Sequence, residues 1–348
     1  MSSRIAVVNV QQPFIRGGAE ILSDSLVAQL RARGFDAYAV NIPAVADRPE
    51  ALLDHIVGAR LVRLENTDRV IALKFPAYHI PHDNKVLWML HQYRQAYDLW
   101  GTRLQGFTHD GWGRALRDAV RRADDEFLPE ARRIYTNSTV TRDRLMAFNG
   151  LMATVLLPPL PDPDLFHTRE AGDYIFAPSR LSRAKRQLLA VEAMAHTTSG
   201  VRLVIAGPPD TPGDERDLAE AVDRLGLADR VEVHARWVTD DEKAAWMAGC
   251  LACAYLPLDE DSYGYVTLEA FQARKPVVSL TDSGKGVLAL VADGETGWVA
   301  EPSPRALGEA FDRAHAARRR AHDLGDAGQR RVTDLGISWD HVIEELTR

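Results

Sequence analysis

Cysteine is scarce: Cys250 and Cys253 are the two among 348 residues. Two thiols cannot build a disulfide framework, and such usage fits a reducing cytoplasm. Long apolar runs are missing as well. Segments such as Leu251 to Leu258 fall far short of the ~20 residues a membrane span needs. The short run RIAVVNV at 4–10 is followed by no small-residue cleavage pattern and leads into a Gly-rich turn, so it reads as a strand and not as a signal peptide. Basic excess is absent too. Forty-two Lys and Arg against 49 Asp and Glu leave a net charge of −7, which argues against a globally basic nucleic-acid binder. There is no short-period repeat and no low-complexity block. What is present is an ordinary globular composition, 46% hydrophobic and 26% charged, on a chain long enough to predict two domains.

The pattern alternates. Arg4 to Val10 is a buried-strand run, followed by QQPFIRGGAE and a helix from about Ala19 with Leu22, Leu26 and Leu30 at four-residue spacing. Gly34 is its C-terminal stop, and DAYAVNI (36–42) is the next strand. Further strands are predicted at 69–74, 85–90, 133–136 and 154–157. Then LLPPLPDPDLF (156–166) places four prolines in eleven positions, which no central strand or helix tolerates. It reads as a linker. Strands resume at 174–177, 203–206, 231–234, 252–256 and 277–280, with helices at 214–225, 240–248 and 304–321. Two such sets predict two doubly wound α/β domains, 1–160 and 168–336. The cleft between two such domains is the expected ligand site.

Two segments carry chemistry. DEDSYGYVTLEAFQARKPVVSL (259–280) holds Asp261 and Glu269 around SYGY. Gly264 opens a helix there, so the N–H groups of Tyr265, Val266 and Thr267 form a helix N-terminus that favours a phosphate. Carboxylates on both sides of that turn accept hydroxyls of a sugar and a ribose. An ordinary acid-rich helix start has the same composition. FAPSRLSRAKRQLLAVEA (176–193) ends a strand with Arg180 and places Lys185 at the helix start. Two cations there suit a diphosphate that gains charge as it leaves, although a solvated surface helix would also explain them.

Here the chain resembles a known family, the retaining family 4 (group 1) glycosyltransferases of GT-B fold. The resemblance is carried, in order, by GGAE (17–20), WMLH ending at His91, TNS (136–138), the proline-rich linker, Arg180/Lys185 and LVIAGP (203–208). The 261–269 acid pair, KPVV, DGETGW (293–298) and SWDHVIEEL (338–346) complete it. It implies an α/β fold of two Rossmann-like domains facing across a cleft, with the terminal helix (337–348) crossing back to the N-terminal domain. It implies sugar transfer from a nucleotide diphosphate sugar, with retention, to a hydroxyl of a glycan or small molecule. No cofactor and no bound metal are expected, because protein cations and helix N-termini neutralise the leaving group.

By matching position, Arg180 and Lys185 grip the diphosphate, Glu269 binds the ribose, Asp261 touches the transferred sugar, and His91 lies near the reaction centre. Gly17, Gly18, Gly207, Arg236, Tyr263, Gly264, Tyr265 and Val266 complete the donor set. Tyr93, Arg94, Tyr97 and Trp100 follow His91 and are the acceptor candidates. The chain departs from the family pattern at Asp261, where Glu is usual, at Arg274, where Gly is common, at Lys285 in place of a Gly, and at Ala289 in place of an acid. The alternatives are a GT-B nucleotide-sugar epimerase and a non-catalytic nucleotide-sugar-binding partner.

Other features have plainer readings. His79 and His82 straddle a proline turn and are not expected to hold metal. Cys250 and Cys253 flank an apolar strand and read as buried hydrophobes. Residues 91–127 combine Trp100 and Trp112 with Arg94, Arg103, Arg114, Arg117, Arg121 and Arg122. This composition offers weak peripheral membrane contact. With Asp118, Asp124 and Asp125 interrupting the basic face, a solvated helix with core tryptophans is the reading preferred.

Overall fold

A computed structural model describes residues 3–11, 17–44, 48–102 and 105–348; residues 12–16 of the predicted 11–20 turn and Arg103 lie outside the described residues. The chain divides into two compact units, residues 1–161 with 337–348, and residues 162–336.

The N-terminal unit contains strands β1 (Arg4–Gln11), β2 (Asp36–Pro43), β3 (Arg69–Ala72), β4 (Lys85–Met89), β5 (Arg133–Thr136) and β6 (Thr154–Val155). All pair in parallel, in the order β2-β1-β3-β4-β5-β6. Between them run helices α1 (Gly18–Ala32), α2 (Leu52–Leu61), α3 (Gly111–Phe127) and α4 (Thr139–Asn149). Strand alternation sends Ala6, Val8, Val70, Ala72, Leu87 and Met89 into one core. Ile5, Val7, Ile71, Val86 and Trp88 enter the other. The strands are therefore apolar on both faces, as the continuous runs predicted.

The C-terminal unit contains β7 (Tyr174–Pro178), β8 (Arg202–Ala206), β9 (Val231–His234), β10 (Ala252–Ala254), β11 (Val277–Leu280) and β12 (Gly297–Ala300). Its helices are α5 (Gln187–Met194), α6 (Pro212–Leu225), α7 (Asp240–Gly249), α8 (Gly264–Gln272), α9 (Lys285–Leu288), α10 (Pro304–Ala316) and α11 (Ala321–Asp334). The sheet order is β12-β11-β10-β7-β8-β9, all parallel. Capping boxes at Thr211/Asp214 and Thr239/Glu242 fix the starts of α6 and α7.

The last helix, α12 (Trp339–Thr347), belongs to the N-terminal unit. Trp339 donates from Nε1 to Leu160 O at 2.7 Å and meets Trp88 edge-on at 6.4 Å. Val342, Ile343 and Leu346 join the core of β1, β3 and β4. Among the described residues, no helix is long and apolar enough to cross a membrane.

Three expectations need correction. The helix expected over 304–321 is two helices, α10 and α11, parted by a 3₁₀ turn at Arg318–Arg320. Arg318 donates to Ala171 O at 2.5 Å, which ties the turn to the sheet. Strand β12 was not expected, because GWVA is short and sits between a polar turn and a proline. Lys185 is not on a helix: α5 starts at Gln187, and Arg186 before it is left-handed at φ 56°.

Candidate functional site

In the C-terminal sheet the first strand of the unit, β7, has β8 on one side and β10 on the other. The chain direction of crossovers reverses there, and in parallel sheets such a switch point opens a crevice beyond the carboxyl ends of the strands. The segments singled out from the sequence emerge at that end.

Gly207 follows β8. Its φ is 156°, and a Cβ there would sit 2.0 Å from Ser179 O, so only glycine lets the β8 loop pass this close to the β7 loop. Arg180 follows β7 with its side chain largely exposed and pairs with Asp210 at 2.6 Å. Lys185 is only 21% exposed; its ammonium donates to Tyr255 Oη at 3.1 Å and pairs with Glu260. Arg186 is spent structurally on Asp282 and the carbonyls of Leu256 and Pro257. Both expected phosphate-binding cations thus already face carboxylates of their own chain. Neither Tyr255 nor Glu260 was found from the sequence. The run DED was legible, but which of its acids faces Lys185 depends on the turn.

That turn is built tightly. Asp259 (φ 46°) and Glu260 donate their N–H groups to Asp282 O and Ser283 O, both at 2.9 Å. A Cβ on Gly284 would lie 2.3 Å from Glu260 O, and one on Gly286 2.6 Å from Asp261 O. Lys285, exposed, lies between those two glycines, so the DSGKG segment lines the back of the turn. Asp261 is half-buried there. Gly264 then opens α8 at φ 67°; a Cβ would lie 2.4 Å from Tyr255 Oη. Tyr263 is buried, Tyr265 and Val266 are half-buried, and no side chain caps α8. Its first N–H groups are therefore available to an anion.

Glu269 sits one and a half turns into α8 and is 6% exposed. Oε1 accepts from Lys243 Nζ at 2.7 Å, while Oε2, also buried, has no hydrogen-bond partner among the described residues. Burial raises the Glu269 pKa, and Lys243 offsets part of that rise. A buried acceptor without a donor is costly in an empty site and useful in one that receives a hydroxyl. Lys243, on α7, was missed because its partner is 26 residues away. Arg236, after β9, is exposed and pairs with Glu242 at 2.7 Å; Trp237 beside it is 71% exposed. Ala289 is exposed, and its carbonyl accepts from Arg331.

In the N-terminal unit, Gly17 caps α1 and donates its N–H to Glu20 at 2.9 Å. Glu20 also pairs with Lys74, just after β3, at 2.9 Å. A Cβ on Gly18 would meet nothing within 4 Å. His91 is exposed after β4, with Nδ1 2.7 Å from Gln92 O. The acceptor candidates fare differently. Tyr97 is buried and donates to Asp124 at 2.8 Å, and Tyr93 is buried against Phe75 and Phe107. Their faces belong to the core and cannot stack on a sugar. Arg94 pairs with Asp98, and Trp100 is half-buried with the Arg117 guanidinium 4.7 Å from its ring.

Two further expectations for this region are corrected. Asp124 does not interrupt a basic surface: it is fully buried and takes hydrogen bonds from Tyr78 and Tyr97 while contacting His79 at 2.7 Å. Trp112 is not core but 50% exposed. Cys250 and Cys253 are both buried and free, and burial pushes the Cys250 thiol up to about 12. Among the described residues, no group of three or more His, Cys, Asp and Glu side chains is placed to hold a metal ion.

Residues 166–331 match the family described as glycosyl transferases group 1. That match falls within the C-terminal unit. A curated relative, alpha-1,3/1,6-mannosyltransferase ALG2 of Dictyostelium discoideum, is 28% identical over 152 residues, 39% of this chain and 35% of that protein. The chain thus matches about a third of that relative's length. Among solved structures, sucrose-phosphate synthase from Thermosynechococcus elongatus superposes with a TM-score of 0.77 at 16% identity, covering 99% of this chain and 97% of that one. Anabaena HepE in complex with UDP-glucose superposes at 0.70 and 16% identity, covering 99% and 98%. At these identities the likeness shows the fold, and that fold is GT-B.

Proposed function

We propose that the protein transfers a glycosyl group from a nucleotide diphosphate sugar to a hydroxyl of a glycan or small-molecule acceptor, with retention at the anomeric carbon and without a metal. The observation that carries this reading is the buried, unpartnered Oε2 of Glu269, on the helix whose uncapped N-terminus faces the switch point. A carboxylate oxygen that lacks a donor in the protein is completed by a ribose hydroxyl, and the adjacent N–H groups of Tyr265 and Val266 suit a phosphate. HepE, whose structure holds UDP-glucose, and the mannosyltransferase relative support the substrate class.

The chemistry assigned to the residues is electrostatic. As the bond between the anomeric carbon and the phosphate oxygen breaks, negative charge grows on the diphosphate. Arg180 and Lys185 meet it, with Lys185 exchanging Glu260 for phosphate oxygens as donor binds. Losing one such fixed donor typically costs ~10²–10³ in rate. The acceptor oxygen bonds to the anomeric carbon from the same face, and its proton passes to the departing phosphate oxygen. No enzymic nucleophile is required, unlike the paired carboxylates of retaining glycosidases. Asp261 contacts the transferred sugar, and His91 serves from the N-terminal unit. The free buried thiols fit a cytoplasmic place of action.

The test is thermal stabilisation by UDP, GDP, ADP and dTDP. A nucleotide at ~100 times its dissociation constant adds about 2.7 kcal/mol. One nucleotide should stabilise the wild type, and Glu269→Ala should abolish the response. Its sugars are then screened for transfer. Silence toward all four, or an undiminished response in Glu269→Ala, would overturn the assignment.

A further inference from the structure

The C-terminal unit has a pocket of about 340 Å³ whose lining includes Arg169, Arg274, Lys275 and Arg318 with Glu170 and His322. It lies at the opposite end of the sheet from the site above. Ala171 precedes β7, Leu251 precedes β10 and Lys275 precedes β11, so these lining residues mark the amino ends of the strands. In a chain with net charge −7, four basic side chains here share one lining carboxylate, that of Glu170. Asp326 lies behind them, taken up by Arg274 at 3.0 Å and His322 at 3.3 Å.

Lys275 decides the character of the pocket. It is 3% exposed, and its Nζ donates one hydrogen bond, to Arg169 O at 2.8 Å. Among the described residues, no carboxylate forms an ion pair with Lys275, Arg169 or Arg318. An ammonium has three donors, and a buried one without a counter-charge is strongly penalised. Burial accordingly pulls the Lys275 pKa below its ordinary value. Arg169 and Arg318 are exposed lining residues, Arg318 giving one of its five donors to Ala171 O, and forked guanidinium donors match phosphate oxygens.

We propose that this pocket binds a small multivalent anion of the phosphate class, with Lys275 as the buried anchor and Arg169 and Arg318 as the outer clamp. The volume is at the low end for small-molecule sites, which suits pyrophosphate or a sugar phosphate. The site is independent of the donor site in position and in residues. It is connected to it by α8, whose first turn faces the proposed diphosphate and whose far end leads into Arg274 and Lys275.

Calorimetric titration of the full chain with pyrophosphate tests this. Pyrophosphate binding should persist in Arg180→Ala/Lys185→Ala, which removes the donor-site cations. It should weaken at least about tenfold when Arg169→Ala/Arg318→Ala is added. Arg318 also holds Ala171 O, so Arg169→Ala alone, which should weaken binding in the same direction, is titrated beside it. An unchanged unfolding midpoint shows that the fold is kept. Binding that vanishes with the donor-site pair alone, or that ignores loss of Arg169 and Arg318, overturns the proposal. Glucose 1-phosphate titrated into the same variants separates the two sources: tighter binding than pyrophosphate identifies a phosphorylated sugar, and weaker binding identifies the free inorganic anion. A failed donor assignment leaves this outcome readable, since the Arg169/Arg318 arm does not depend on it.

Discussion

The two units each pack charged side chains around a parallel sheet and treat them differently. In the N-terminal unit the charged groups pair with one another: Glu20 holds Lys74, Tyr97 and His79 hold Asp124, and Glu130 holds both Lys85 and Arg60, although buried atoms such as His79 Nδ1 and Asn9 Oδ1 have no hydrogen-bond partner among the described residues. In the C-terminal unit closure is incomplete. Glu269 Oε2 has no donor, α8 has no cap, and Lys185 and Arg180 hold carboxylates from mobile-length side chains that a diphosphate can replace. Buried polar groups that satisfy each other stabilise a fold, and a carboxylate oxygen left without a donor beside an uncapped helix start is placed to take a ligand hydroxyl. The family match falls on the second unit, 166–331.

The sharpest break of this contrast is Asp124→Ala. It strips a buried acceptor from two phenols and an imidazole, and should cost about 3–5 kcal/mol. Urea unfolding measures it, and a loss under about 1 kcal/mol would show that the N-terminal network is not what holds that unit. Next in size, Lys185→Ala should cut turnover at least about a hundredfold, roughly 2.7 kcal/mol in the transition state. Its unfolding midpoint should barely move. Unchanged kinetics would erase the distinction between the units.

Lys74→Ala is the counterpart on the other side, and it should cost about 2 kcal/mol of stability at neutral pH. Burial alone would raise the Glu20 pKa, but Lys74 and the Gly17 N–H override it and hold it below the ordinary carboxylate value. A depressed acid stabilises the fold above its unfolded pKa and loses that contribution as pH falls through the lower folded value. Wild type should therefore show an acid-side decline that Lys74→Ala flattens, read from unfolding midpoints between neutral pH and pH 3. The smallest effect is expected at Arg274→Gly. Arg274 is left-handed at φ 54°, which Gly adopts without strain, yet its ion pair with Asp326 is lost. The two terms are each about 1 kcal/mol, so the net change should be under that; a large loss would show that the arginine does more than cap α8.

Much of this was readable in advance because it is local. Continuous apolar runs specify strands buried on both faces, and the Gly264 turn specifies the start of α8. The backbone angle at Arg274, φ 54°, accounts for the glycine common at that position and leaves the arginine itself unexplained. Strand β12 and the break between α10 and α11 were missed, since a four-residue strand and an Ala/Arg-rich junction carry little periodic signal. Two of the four acceptor candidates, Tyr93 and Tyr97, are buried for another reason. Tyr93 and Tyr97 sit next to His91 in sequence, but adjacency in a chain does not say which way a ring turns, and the demand for buried aromatic surface turned both inward.

The sequence by itself determined the alternating elements, the proline-rich boundary and the chemical inventory of the donor segments, because hydrophobic period and turn chemistry act over a few residues. Tertiary structure decided the pairings. Lys185 meets Glu260 across 75 residues, Lys243 meets Glu269 across 26, and Asp124 meets His79 across 45. Whether a charge is satisfied within the fold or left for a ligand depends on distances that only strand order and packing set.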